Sequence, residues 1–159
     1  MDALFRVPAP ANEPVLGYAP GSTERAALEA ELARIGGEKI ELPSTIGGRK
    51  VMGGGRTGKV VQPHAHRKVL GTMKLVTATE AQSAIDAAKA AAPMWRDMPF
   101  ADRAAILLKA AELLSGPWRA TLNAATMLGQ SKTAPQAEID SACELIDFWR
   151  INVHFAQQL

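Results

Sequence analysis

Apolar residues recur along this chain with two different periods, and the change of period divides it into segments. Over residues 22–37, Ala27, Leu28, Leu32 and Ile35 recur at helical spacing behind Ser22, a good N-cap, and Glu24 in the first turn. Gly36-Gly37 closes that segment, because glycine tolerates the left-handed conformation of a helix C-cap. Residues 38–76 lose the helical period. Ile40, Leu42, Ile46, Val51, Val60, Val61, Val69 and Leu75 fall in short runs broken by glycines and Pro63, which predicts two or three short strands in a small antiparallel hairpin or meander. The Gly53-Gly54-Gly55 triplet reads as a flexible turn within it. An isolated hairpin is marginal in water, so this one should pack on something larger.

From Thr77 the helical period returns and persists through residues 77–159. Thr79 with Gln82 resembles a capping box, and Ile85, Ala88, Ala92 and Trp95 form a stripe that Pro99 closes. Asp102 opens the next helix, with Ile106, Leu107, Ala110, Leu113 and Leu114 on one face. Ser115-Gly116-Pro117 breaks it and starts another, which carries Trp118, Leu122, Ala125 and Leu128 and ends at Gly129. Thr133 with Gln136 forms a second capping box with Pro135 in the first turn. The last helix then presents Ile139, Ala142, Cys143, Ile146, Trp149 and Val153. No glycine, proline or basic last turn stops it, so the chain is expected to run out within that helix, as a piece of a longer protein would. Residues 1–21 are proline-rich and without period, and read as an extended arm that needs a surface to lie on.

Composition narrows the class. An apolar fraction of 47% and a charged fraction of 21% are those of a soluble globular domain, not of a disordered or membrane chain. No uncharged apolar run approaches the roughly 20 residues of a bilayer span. The start, MDALFRVPAP, has no basic region leading into an apolar core, so no secretory signal is visible. The net charge of +2, from 18 basic and 16 acidic residues, is too balanced to imply nucleic acid, and the bases are expected to be scattered among acids along helix faces. One cysteine excludes an internal disulfide and a cysteine-rich zinc site, and fits a reducing, cytoplasmic compartment.

Each candidate for chemistry has a plainer reading. Cys143 lies on the apolar stripe with no electropositive neighbour in sequence, and reads as a core cysteine rather than a nucleophile. His64 and His66 form an H-x-H pair, but no further ligand lies nearby, and a solvated turn is the better reading. Gly53 to Lys59 superficially suggests a phosphate loop. Val60 stands where Ser or Thr should follow the lysine, no apolar strand precedes Gly53 and no long helix follows Lys59, so a hairpin turn is expected. Glu138, Asp140, Glu144 and Asp147 read as a solvated acidic face, with Glu144 the carboxylate that borders the apolar stripe. Trp95, Trp118 and Trp149 read as core. Residues alone thus describe a mainly helical domain with a small β appendage and no catalytic constellation.

Several segments carry a resemblance that covers most of the chain: Pro14–Arg25, Val60–Gly71, Ala84–Arg103, Lys109–Pro117 and Met127–Arg150, in that order. LKAAELLSGP and QAEIDSACELIDFWR are the more specific runs. Together they resemble the start of an aldehyde dehydrogenase, most closely the branch of 1-pyrroline-5-carboxylate dehydrogenases. The resemblance implies a fragment of that α/β fold, with residues 77–159 as a helical segment of the nicotinamide-binding domain. It implies NAD-dependent oxidation of L-glutamate γ-semialdehyde to glutamate in proline catabolism, by covalent catalysis through a thiolate. The family's nucleophile, general base, oxyanion asparagine and cofactor-binding lysine match no position here, so the resemblance implies an inactive chain that binds no cofactor alone. It places Glu144 at the border of the aldehyde entrance as a substrate-pocket residue. The implied partners are the remainder of the same polypeptide, a small-molecule substrate and further copies in a homo-oligomer, with no nucleic acid or membrane. The alternative is a stand-alone helical interaction module, or a split-gene subunit that pairs with a partner chain.

Overall fold

A computed structural model describes residues 5–159; the first four residues of the expected arm lie outside the described residues. The chain folds as two compact units. One holds the N-terminal stretch through Ala33 with residues 98–127 and 132–159; the other holds residues 34–97 with 128–131.

The first unit is an extended arm on a helical bundle. Residues 5–19 have no regular secondary structure, as proline-rich sequence predicts. Helix α1 (Thr23–Gly37) starts where expected, and the Arg25 N–H donates to Ser22 Oγ at 3.3 Å as its cap. Helices α3 (Phe100–Ser115), α4 (Arg119–Gln130), α5 (Ala134–Ala137) and α6 (Glu144–Ala156) follow, with a π-helical turn over Glu138–Cys143 between the last two. One core cluster joins Ala111 and Leu114 of α3 to Ala142 and Ile146, packed by Leu122, Leu145 and Trp149. A second joins Val7 of the arm to Ala104 and Val153. Alanine at 104, 111 and 142 leaves room for neighbouring backbone, since interaxial distance follows side-chain size at the contact. Fully burying Ile146 and Val153 contributes about 1.5–3 kcal/mol each.

Several expected faces are rotated. On α3, Leu114 of the expected face is buried, but Ile106 and Leu113 are exposed, and Ala104 and Ala111 face inward instead. On α4 the buried residues are Arg119, Asn123, Ala124 and Thr126, while Ala125 is exposed. A polar cluster around Arg119 and Asn123 occupies the inward side of α4, so its apolar stripe does not define the buried face. Of the three tryptophans only Trp149 joins a core; Trp95 is 40% and Trp118 57% exposed. Helix α4 continues through Gly129 to Gln130, and Ser131 takes the left-handed conformation there (φ +60°) in place of the expected glycine. The Thr133–Gln136 capping box is present. Helix α6 ends at Ala156, before the last residue.

The second unit holds the sheets and helix α2. Strands β1 (Ile40–Glu41), β2 (Ser44–Ile46), β3 (Arg49–Val51), β4 (Thr57–Gln62) and β5 (Ala65–Lys74) outnumber the expected two or three. The expected hairpin is β4–β5, turning at Pro63-His64, with register shifts near Val61. A second small hairpin pairs β2 with β3. The sheet also holds a parallel pair, β1 on β5 at Gly71 and Thr72, which local patterning does not reveal because the partners are about thirty residues apart. Gly71 permits that pairing: a Cβ there would run into the Ile40 carbonyl oxygen. Helix α2 (Ala78–Asp97) is capped by Thr77 and Glu80 rather than Thr79 and Gln82. The Glu80 N–H donates to Thr77 Oγ1 at 3.3 Å and the Thr77 N–H to Glu80 Oε2 at 2.7 Å. None of α2 is buried within the described residues; Ile85, Ala88, Ala92 and Trp95 of its stripe are all exposed. No helix among the described residues is long and apolar enough to cross a membrane.

Candidate functional site

The densest chemistry of the chain surrounds Glu138, which is fully buried instead of lying on a solvated acidic face. The π turn brings it in. Across that turn the Glu144 N–H donates to the Ile139 carbonyl, five residues back, so the helix advances by one extra residue. Ile139, inward by α-helical counting, is 44% exposed, and Ala137 and Glu138 share the buried side with Ala142 and Cys143. The carboxylate accepts from the Leu16 N–H (2.8 Å), the Tyr18 hydroxyl (2.6 Å) and Asn123 Nδ2 (2.8 Å). Arg119 completes the set through Nε and Nη2.

Arg119 links this carboxylate to the arm. Its Nη1 pairs with Glu13 at 2.5 Å and its Nη2 donates to the Pro14 carbonyl at 2.6 Å. Glu13 also pairs with Arg150 of α6 at 2.6 Å, and the Glu13 N–H and Asn12 Nδ2 both donate to Asp147 at 2.7 Å. Asp147 is therefore a docking point for the arm, not a solvated acid. Tyr18 holds an unusual left-handed backbone (φ +52°), and its hydroxyl meets Glu138. The arm thus lies on its expected surface through ions and hydrogen bonds as much as through Val7.

The network fixes protonation states. Burial alone would raise the Glu138 pKa; the bonds from Arg119, Tyr18, Leu16 and Asn123 outweigh it and hold the carboxyl at about 2. Burial opposes the Arg119 charge, but Glu138 and Glu13 hold the guanidinium above its usual value. Burial and Glu138 push the Tyr18 phenol well up. Cys143 sits beside this cluster, its Sγ 3.4 Å from Arg119 Nη2 and 3.7 Å from Glu138 Oε1. The electropositive neighbour absent from its sequence surroundings is present in space. Burial and the Glu138 charge still prevail over Arg119, and the thiol is pushed up to about 11. Cys143 is a protonated core thiol, as the sequence predicts.

The adjoining depression, lined by Leu16, Tyr18, Ala27 and Arg119 among others, has a volume of about 180 Å³, below the roughly 300–1,000 Å³ of small-molecule pockets. The cluster is a clamp with its groups engaged on one another. Sequence reasoning missed it because its members come from four segments; the only local hint is the pairing of small or apolar residues at 137 and 142 with Glu138 and Cys143, a five-residue interval foreign to an α-helix.

The remaining candidates are separate. Glu144 is exposed at the first position of α6 and makes no ion pair among the described residues. Asp140 is exposed and pairs with Lys132 at 2.8 Å. The glycine triplet connects β3 to β4 and is not the hairpin turn: a Cβ at Gly53 or Gly55 would run into the backbone of Leu75. Its anion cradle is already filled, since the Gly54 N–H donates to both Glu80 oxygens, at 3.0 and 3.1 Å. No phosphate or dinucleotide fits there without displacing Glu80. His64 stands in the β4–β5 turn with Nδ1 2.8 Å from Ser131 Oγ, and His66 is exposed on β5. No group of three His, Cys, Asp or Glu side chains among the described residues could hold a metal. The bases, finally, are not scattered: from Lys39 to Lys74 eight lysines and arginines accompany a single acid, Glu41.

Comparison with known proteins places these elements. The sequence model of the aldehyde dehydrogenase family matches residues 51–159. The crystal structure of a Mycobacterium tuberculosis Δ-pyrroline-5-carboxylate dehydrogenase bound with NAD matches 99% of the chain at 56% identity with a TM-score of 0.96, over 30% of its own length. The Δ-1-pyrroline-5-carboxylate dehydrogenase of Agaricus bisporus is 45% identical over 99% of the chain and 29% of its own length. The mitochondrial human enzyme of that name is 44% identical over 94% of the chain and 26% of its own length. The chain therefore spans less than a third of the length of these relatives.

Proposed function

The chain belongs to the aldehyde dehydrogenase family, and from that membership we propose that it supplies the leading portion of an NAD-dependent 1-pyrroline-5-carboxylate dehydrogenase, which oxidises L-glutamate γ-semialdehyde to glutamate in proline catabolism. The observation that carries this reading is the 56% identity and TM-score of 0.96 over 99% of the chain with an enzyme of that name. The chain's own contribution is positional. Its arm is clamped to the bundle through Glu138 and Arg119, and the bundle belongs to the nicotinamide-binding domain of the complete subunit. NAD accepts the hydride when bound, and the Gly53–Gly55 turn, whose Gly54 N–H is engaged by Glu80, is not assigned to hold it. The remainder of the polypeptide provides the cofactor site and the thiolate and covers the apolar stripe of α2. A cytoplasmic homo-oligomer completes the proposal.

Glu144 is assigned to the rim of the aldehyde entrance. Its exposure at the start of α6, without an ionic partner among the described residues, leaves its charge free to meet substrate. The test uses a chimera in which this chain replaces the matching portion of the M. tuberculosis dehydrogenase. Glu144→Ala should raise KM for the semialdehyde about three- to tenfold and leave kcat within about twofold, the signature of lost uniform binding. Unchanged KM would remove Glu144 from the pocket, and a chimera that binds NAD yet ignores the semialdehyde would overturn the assignment of substrate.

A further inference from the structure

Outside the β segment the chain is acidic, with fifteen acids to ten bases, so its near-neutral total conceals a strongly basic module. The two sets of bases are also engaged differently. Seven of the ten bases outside the β segment, Arg25, Arg34, Arg96, Lys109, Arg119, Lys132 and Arg150, pair with a carboxylate. Lys39, Arg49, Lys50, Arg56, Lys59, Arg67, Lys68 and Lys74 are all exposed, and none forms an ion pair among the described residues. Exposed cations left uncompensated repel one another and raise a local positive potential.

That potential has a concave focus. A depression of about 680 Å³ at the start of β5 is lined by His64, Ala65, His66, Arg67 and Lys68. The volume lies within the range of small-ligand sites, roughly 300–1,000 Å³. His64 Nδ1 is engaged with Ser131 Oγ at 2.8 Å, which orients the ring at the rim. Strand β1 covers β5 only at Gly71 and Thr72, so over residues 65–69 the edge of β5 away from β4 has no strand partner among the described residues. Unpaired edge N–H groups there are additional donors. Guanidinium, ammonium and imidazole groups around one hollow, with no carboxylate among the described residues that line it, match the acceptor-only oxygens of a phosphoryl anion.

We propose that the hollow lined by His64, His66, Arg67 and Lys68 at the β4–β5 tip is a binding site for a compact, multiply charged phosphate-bearing anion. The site is independent of the dehydrogenase reading and lies on different residues from the Glu138 clamp.

Inorganic tripolyphosphate is the probe, titrated calorimetrically into the 159-residue chain and into the chimera. Saturable one-to-one binding that weakens as salt rises is expected. The paired reversal Arg67→Glu/Lys68→Glu should weaken it about tenfold, whereas Lys89→Glu, an exposed reversal on α2, should change it less than about twofold. If the reversal alters the circular dichroism spectrum, Arg67→Gln/Lys68→Gln decides the same question. Absence of saturable binding in both forms, or equal weakening by Lys89→Glu, overturns the proposal.

Discussion

Glu138 has five nitrogen and oxygen donors around its carboxylate and no exposed surface, so its charge is set by the fold. Its pKa is depressed from 4.5 to about 2. A depressed carboxyl contributes stability that is complete above its unfolded value and disappears as pH falls through its folded value. Acid unfolding should therefore steepen between about pH 4.5 and pH 2, and Glu138→Gln should flatten that limb. Glu138→Ala leaves Arg119 buried with an incomplete partner set and should cost about 3–5 kcal/mol by urea denaturation. Cys143 is the converse case. Its thiol is raised to about 11 and buried, so iodoacetamide at pH 8 should leave it unmodified in the folded chain and alkylate it after denaturation. The core position of Cys143 is legible in its helical stripe, whereas Glu138 reads there as solvated, because charge patterning along a helix cannot register partners that arrive from residues 13–18 and 119–123.

At the scale of elements, legibility follows the range of the determining contacts. Ser22 and Thr133 cap their helices through neighbours three residues away, and both caps are readable. Patterning alone places the α2 cap two residues late, because Thr77-x-x-Glu80 and Thr79-x-x-Gln82 fit the same template; the first prevails because Glu80 also closes the Gly54 N–H. Thr77→Ala should destabilise the chain by about 1 kcal/mol in thermal denaturation. The π turn has no local signature strong enough to override a continuous α-helical stripe, and the Glu138 cluster it serves is assembled from distant segments. Strand pairing between residues 40–41 and 71–72 is invisible for the same reason. Ser131 occupies a left-handed position where glycine carries no Cβ penalty, so Ser131→Gly should stabilise the helix end by about 0.5–1 kcal/mol while removing the His64 contact.

For the whole molecule, the family is legible because it rests on long runs of sequence, whereas the sites are not, because they depend on juxtaposition. The resemblance extends over nearly the entire chain, yet the chain covers 26–30% of its relatives' length. Within that span the residues build a clamp, a pocket-rim candidate and a basic hollow. On the proposed function, this chain shapes a dehydrogenase whose chemistry resides in the rest of the polypeptide. NADH formation from L-glutamate γ-semialdehyde and NAD, measured side by side for the 159-residue chain and for the chimera with the M. tuberculosis remainder, tests it most directly. No turnover above the uncatalysed rate is expected for the chain, and a kcat within about tenfold of the parent for the chimera. Turnover by the chain alone, or a folded, NAD-binding chimera without semialdehyde oxidation, would contradict it.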